Sequence, residues 1–173
     1  MPRIPQGPHP RLLGGATEGT GAGLVDDQVP QVVVDVHQLE QGGHHRITLR
    51  TPPDDPGYLA LIETQRKLLR LAPHVSDIYT MRGTPDGKVV LVVDSETDYN
   101  RNGRIEGERE QRTPIGKPYP EVTPEIERAL RGEALFEFEP VTDEWGTWIT
   151  AWVPLHRPDG SVEAAMGVDF SAE

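Results

Sequence analysis

The chain has 173 residues, enough for one domain with a real core plus a tail, and only 35% are apolar, so part of the sequence does not build core. A formal net charge of −11 argues against nucleic acid and anionic membrane surfaces as partners and leaves cations as natural ligands. With no cysteine, disulfides, thiolate metal sites and cysteine nucleophiles are excluded. No apolar run approaches bilayer length and no signal-peptide apolar core stands at the N-terminus, so the chain as written is expected to be soluble.

Residues 1–31 are rich in Gly and Pro without a hydrophobic period and are expected to be a disordered tail. Gly19-Thr20-Gly21-Ala22-Gly23 has the look of a nucleotide loop, but no strand precedes it and no amphipathic helix follows. Residues 32–54 read as a short β-hairpin or linker, with Val32–His37 and His45–Arg50 as strands. His37, His44 and His45 stand near its turn, where solvated histidines are the plainer reading and a metal site the sharper one. Residues 55–173 form the main domain. Asp55 caps a helix that Pro56 begins and Pro73 stops, with Tyr58, Leu61, Ile62, Gln65, Leu68, Leu69 and Ala72 on one stripe. Asp77–Arg82 and Lys88–Asp94 make a hairpin across Thr84-Pro85-Asp86-Gly87. Thr123-Pro124-Glu125 opens a short helix closed by Gly132, and Leu135–Glu139 reads as an exposed or edge strand. The order of elements fits an α+β domain with a single antiparallel sheet and helices against one or both faces.

The closing stretch is the most informative. Arg157-Pro158-Asp159-Gly160 turns Trp148–Leu155 back onto Val162–Phe170, and the simplest register sets Leu155 opposite Val162. One face then collects Ile149, Ala151, Val153 and Leu155 with Val162, Ala164, Met166 and Val168, which is plain core. The other sets Trp148, Thr150 and Trp152 opposite Asp169, Gly167 and Ala165. Large aromatics facing small residues beside a carboxylate read either as core packing or as the wall of a pocket. The candidate ligand-binding residues are Tyr79, Arg82, Trp148, Thr150, Trp152 and Asp169.

A polar loop carries the second motif. Asp98, Asn100 and Asn102 supply oxygens at positions 1, 3 and 5 of an EF-hand-type loop, Gly103 the sharp turn at 6, Arg104 position 7 and Glu106 position 9. Position 12, where a bidentate glutamate belongs, is Arg109, flanked by Glu108 and Glu110. Ca²⁺ held by Asp98, Asn100, Asn102, Arg104, Glu106 and Glu110 is the cofactor expectation. An ordinary polar turn is the alternative.

Several pieces resemble the PAS-like or Cache-like sensor domains of bacterial histidine kinases, diguanylate cyclases and chemoreceptors. They are Ile78-Tyr79-Thr80-Met81-Arg82, Val92-Val93-Asp94, Ile115-Gly116-Lys117-Pro118-Tyr119, Asp143-Glu144-Trp145-Gly146-Thr147-Trp148, Val153-Pro154-Leu155 and Gly167-Val168-Asp169. The resemblance implies about five antiparallel strands, a long N-terminal helix with a short helix also packed on the sheet, and a small-molecule pocket against it. It also implies a kinase, cyclase or chemoreceptor output module as partner and pairing of two copies through the N-terminal helix. For a fragment of a membrane receptor it implies an extracytoplasmic place. No serine-hydrolase elbow, zinc-protease motif, phosphate loop or triad appears, so a non-catalytic ligand-sensing module is the leading expectation, with a calcium-binding protein and a protein-interaction domain as alternatives.

Overall fold

The computed structural model describes residues 36–172. The expected tail at residues 1–31, the Gly19–Gly23 run and the start of the expected N-terminal hairpin lie outside them. Helix α1 spans Pro56–Leu71 and helix α2 spans Pro124–Leu130. The strands are β1 (Asp77–Gly83), β2 (Val89–Asp94), β3 (Leu135–Thr142), β4 (Thr147–His156) and β5 (Val162–Ser171). All pairings are antiparallel, and the sheet order is β2-β1-β5-β4-β3. The central strand β5 is thus the last in sequence, flanked by β1 and β4.

Local chemistry explains the helix ends. Asp55 accepts the Tyr58 amide at 2.9 Å with proline in the first turn of α1, and Thr123 accepts the Ile126 amide at 3.3 Å at the start of α2. The stripe Tyr58, Leu61, Ile62, Gln65 and Leu68 is buried, as the helical period requires. It packs with Ile78, Ala151, Leu155, Ala164, Met166 and Val168 on one face of the sheet. The opposite face packs Tyr79, Met81, Leu91, Trp152 and Ala165 against Ile126 and Ala129 of α2 and Tyr119 of the preceding loop.

The N-terminal segment departs from the expected hairpin. Residues 36–41 are helical and His44–Arg46 form a 3-10 turn, so neither half of the described segment is a strand. The reason is burial: Val36, Leu39 and Ile47 are drawn into the α1-side core, which a solvent-facing hairpin would leave exposed. The three histidines part company, with His44 fully buried against Glu163 and Thr80 and His37 on the surface beside Glu40.

The β4–β5 register also differs from the simplest one. Leu155 pairs with Ala164, Trp152 with Gly167 and Thr150 with Asp169, two residues along from the expected alignment. The turn closes at Arg157 and Ser161, and a bulge beside His156 puts Glu163 and Ala164 on the same face. Because the slip is two residues, every side chain keeps its expected face below the bulge. Glu163 is re-aimed toward α1, and Val162, expected on the α1-side core face, instead approaches Gly132 just past the end of α2.

Candidate functional site

The α2-side face carries a small, partly open cavity of about 20 Å³ between the sheet and the loops that follow β2 and β3. Four aspartates line it: Asp77 at the start of β1, Asp94 at the end of β2, Asp143 in the β3–β4 turn and Asp169 on β5. Pairing brings them together, since Asp77 lies opposite Asp169, and Tyr79 lies opposite Asp94. The rest of the wall is largely aromatic, with Tyr79, Tyr99, Tyr119, Trp145 and Trp148.

Donors hold most of these carboxylates in place. Asp77 accepts the hydroxyls of Ser95 (2.6 Å), Thr97 (2.5 Å) and Tyr99 (2.8 Å). Asp94 accepts the amides of Glu96 and Thr113, both at 3.1 Å. Asp143 accepts the Trp145 and Gly146 amides, the Trp148 indole N–H at 3.0 Å and the Tyr119 hydroxyl at 3.2 Å. Asp169 Oδ1 accepts the Thr150 hydroxyl at 2.7 Å and the Tyr79 hydroxyl at 3.1 Å. Its other oxygen, Oδ2, takes no hydrogen bond within the described residues, although the side chain is 2% exposed.

The electrostatics follow from burial without a countercharge. Burial first, and then the charge of Asp77, push Asp169 well above the usual carboxylate range. The same two causes raise Asp94 to about 6. Burial and the neighbouring aspartates also push the Tyr79, Tyr99 and Tyr119 hydroxyls upward, so they stay protonated and donate.

Of the residues expected to bind a ligand, Tyr79, Trp148 and Asp169 line the cavity, and Thr150 stands behind it, holding Asp169. Trp152 does not line it. It is buried edge-on to Tyr79 at 5.8 Å and donates its N–H to Glu137. Gly167 makes that contact fit, because a Cβ there would sit 2.7 Å from the Tyr79 ring and 2.9 Å from the Trp152 ring. Arg82 lies elsewhere. It reaches the α1 face, where it pairs with Glu163 and donates to the Ile47 carbonyl. Its position is fixed by strand alternation, two residues on from Thr80, and the buried Glu163 carboxylate claims the guanidinium.

Sequence reasoning missed Asp77, Asp94, Asp143, Tyr99, Tyr119 and Trp145. Asp94, Tyr119, Asp143 and Trp145 stood within the resemblance but carried no role there. Asp77 becomes visible only once β1 is placed beside β5.

The 98–110 loop gathers its expected oxygens around backbone amides. Asp98 accepts the amides of Asn102 (3.1 Å) and Gly103 (2.7 Å), and Gly103 takes the left-handed φ of 80° that the turn needs. Asn100 and Asn102 accept the amides two residues ahead. Glu110, one place past the expected position, accepts the Asn100 and Glu106 amides, and Glu106 accepts the Asn102 side-chain amide. Among the described residues no group of three or more His, Asp or Glu is placed to hold a metal ion.

No family model and no curated protein matches the chain. Solved structures do. The ligand-binding domain of the Campylobacter jejuni chemoreceptor Tlp3, in complex with 4-methylisoleucine, matches at 14% identity with a TM-score of 0.45, over 84% of this chain and 52% of that one. The same domain with L-valine matches at 12% identity and a TM-score of 0.41, over 84% and 58%. The periplasmic domain of RsbU from Chlamydia trachomatis matches at 14% identity and a TM-score of 0.38, over 83% and 50%. The chain thus spans about half the length of the structures it matches.

Proposed function

We propose that this chain is a non-catalytic ligand-sensing module of a bacterial signalling system, which takes a small molecule in the cavity against its sheet. The observation that carries this reading is the preorganised wall: aromatic rings and aspartates whose donors are already in place around a small, partly open cavity. The carboxylates are held by tyrosines, hydroxyls and amides, with no nucleophile–base pair among the cavity-lining residues. Signal output to a kinase, cyclase or chemoreceptor module, pairing of two copies through α1, and a place outside the cytoplasm belong to the same proposal. Within the described residues no helix is long and apolar enough to cross a membrane.

A thermal-shift screen of amines, amino acids and organic acids tests the reading, since a ligand that binds only the folded state raises Tm. The expected result is a shift that Trp148→Ala abolishes. Silence across the panel would overturn it.

A second reading, a weak calcium site at residues 98–110, draws support from the Gly103 turn with Asp98 and Glu110 closing on it. Calorimetry with Ca²⁺ on the wild type and Asp98→Ala decides it, and no heat in either ends that reading.

A further inference from the structure

We propose that residues 36–47 form a proton-gated strap over the α1 side of the sheet, held closed by the neutral imidazole of His44 and opened by a proton taken up there. Apolar burial and three polar anchors seat the strap. Val36, Leu39 and Ile47 enter the α1-side core, and the backbone at Gly42 passes so close to α1 that a Cβ there would meet Leu61 at 2.9 Å. Near one end Glu40 accepts the His156 backbone amide of β4 at 2.8 Å and pairs with the His156 and His37 rings. At the other, Arg82 of β1 donates to the Ile47 carbonyl at 2.6 Å. Between them His44, fully buried, joins β5 to β1 through Glu163 and Thr80. None of these contacts involves the cavity, so the strap is independent of any ligand bound there.

The hydrogen bonds fix the state of the His44 ring. Thr80 Oγ1 accepts the Val93 amide of β2 at 3.0 Å, and His44 Nε2, at 2.7 Å, accepts the hydroxyl's own hydrogen. Nε2 therefore carries the lone pair and Nδ1 the hydrogen that Glu163 accepts. A second proton, placed on Nε2, would meet the Thr80 hydroxyl and leave that buried hydrogen unpaired. The charged groups facing His44 are Glu163 of β5, Arg82 of β1 and its strap neighbour His45, while α1 presents Leu61 to the strap. Burial, opposed by Glu163 and aided by Arg82 and His45, lowers the His44 pKa. The carboxylate–imidazole–hydroxyl order is that of a hydrolase triad, but Thr80 and His44 are both fully buried, so its role is to hold rather than to react.

Once the strap lifts, His44 returns to its ordinary value of about 6.5. Closure is therefore at full strength above that value. It weakens as pH falls from there toward the lowered value of the closed state, by up to about tenfold per pH unit. Glu40 acts lower on the scale. Burial pulls it upward, but its bonds to His37 and His156 outweigh that and its pKa is lowered, so its anchor fails only below the ordinary carboxylate range.

The test is hydrogen exchange of the full chain between about pH 7.5 and pH 5.5, each rate divided by that of the same sequence unfolded at the same pH. The amides of Gly42, Gly43, Arg46 and Ile47 are bonded within the strap, and so short a piece keeps no helix once detached. Their opening constant is expected to rise about tenfold over that range, the effect of one proton on a free histidine, while β4 and β5 keep their protection. His44→Gln, whose amide can donate to Glu163 and accept from Thr80 without titrating, is expected to make opening independent of pH. Nitrogen NMR of the wild type needs no variant: His44 is expected to be neutral at neutral pH, with its hydrogen on Nδ1, and to charge only below the ordinary histidine range. Opening that changes less than about twofold, or strap amides that exchange in step with β5, overturns the proposal. So does a folded His44→Gln that keeps the full pH response. An imidazolium or an Nε2–H tautomer at neutral pH overturns it whether or not the variant folds.

Discussion

Strand β5 buries one carboxylate on each side of the sheet, and the two are treated in opposite ways. Glu163, turned toward α1 by the bulge, is met by a guanidinium and an imidazole: Arg82 and His44 both donate to it. Burial pulls Glu163 upward, but the His44 hydrogen bond and the Arg82 charge outweigh it, and its pKa is lowered. Asp169, on the cavity side, has only neutral donors and is raised. The first carboxylate is completed by the protein itself. The second is met by neutral hydroxyls alone.

The strongest way to break this contrast is Glu163→Ala. It leaves Arg82 and His44 without their partner beneath the N-terminal segment, and a loss of about 3–5 kcal/mol in urea unfolding is expected, as for other broken buried pairs. A cost below 1 kcal/mol would mean that the two carboxylates are not distinct in kind. Gly167→Ala comes next, because the new methyl must displace the Tyr79 and Trp152 rings. Overpacking of this kind costs about 1–3 kcal/mol, read as a lower denaturation midpoint.

pH separates the two faces by sign. Asp169 is raised in the folded protein, so the stability it contributes is complete below the unfolded carboxylate value of about 4 and is lost as pH rises through its folded value. Asp169→Asn does not suffer that loss. The Tm of the variant is therefore expected to gain on the wild type between acid and neutral pH, and a constant difference would contradict the raised state. His44 acts the other way. Burial first, resisted by Glu163, lowers its pKa, so its contribution is present above the unfolded value of about 6.5 and is lost as pH falls through its folded value. His44→Gln should flatten the acid limb of the stability profile. The smallest effect belongs to Arg109→Ala, which removes the cation over Tyr99 at the margin of the site. It is expected to cost about 0.5–1 kcal/mol in the same unfolding assay.

Much of the sheet was legible in the sequence because alternation survives errors of register. The β4–β5 pairing slips by two residues from the simplest alignment, yet Trp148, Thr150 and Asp169 share a face in either case. The cavity was only half legible. Tyr79, Trp148 and Asp169 sit on strands whose faces the period reveals, whereas Tyr99, Tyr119 and Trp145 arrive on loops with no period to read. Asp77 needed the β1–β5 adjacency, which joins strands about 90 residues apart and has no local signature. Arg82 was grouped with Tyr79 in the pocket, although alternation along β1 sets the two on opposite sides of the sheet. Val32–His37 and His45–Arg50 read as strands across Gln41-Gly42-Gly43, but in the described part of that segment tertiary burial of Val36, Leu39 and Ile47 won over propensity.

The aromatic wall also gives the protein an optical readout of its own. The chain has three tryptophans. Trp145 and Trp148 line the cavity, and Trp152 touches Tyr79 from behind. Indole emission responds to the polarity and charge around the ring, so tryptophan excitation illuminates the site with no distant background fluorophore. An occupant arriving beside Asp169 would be seen as a change in intrinsic fluorescence in the unlabelled chain.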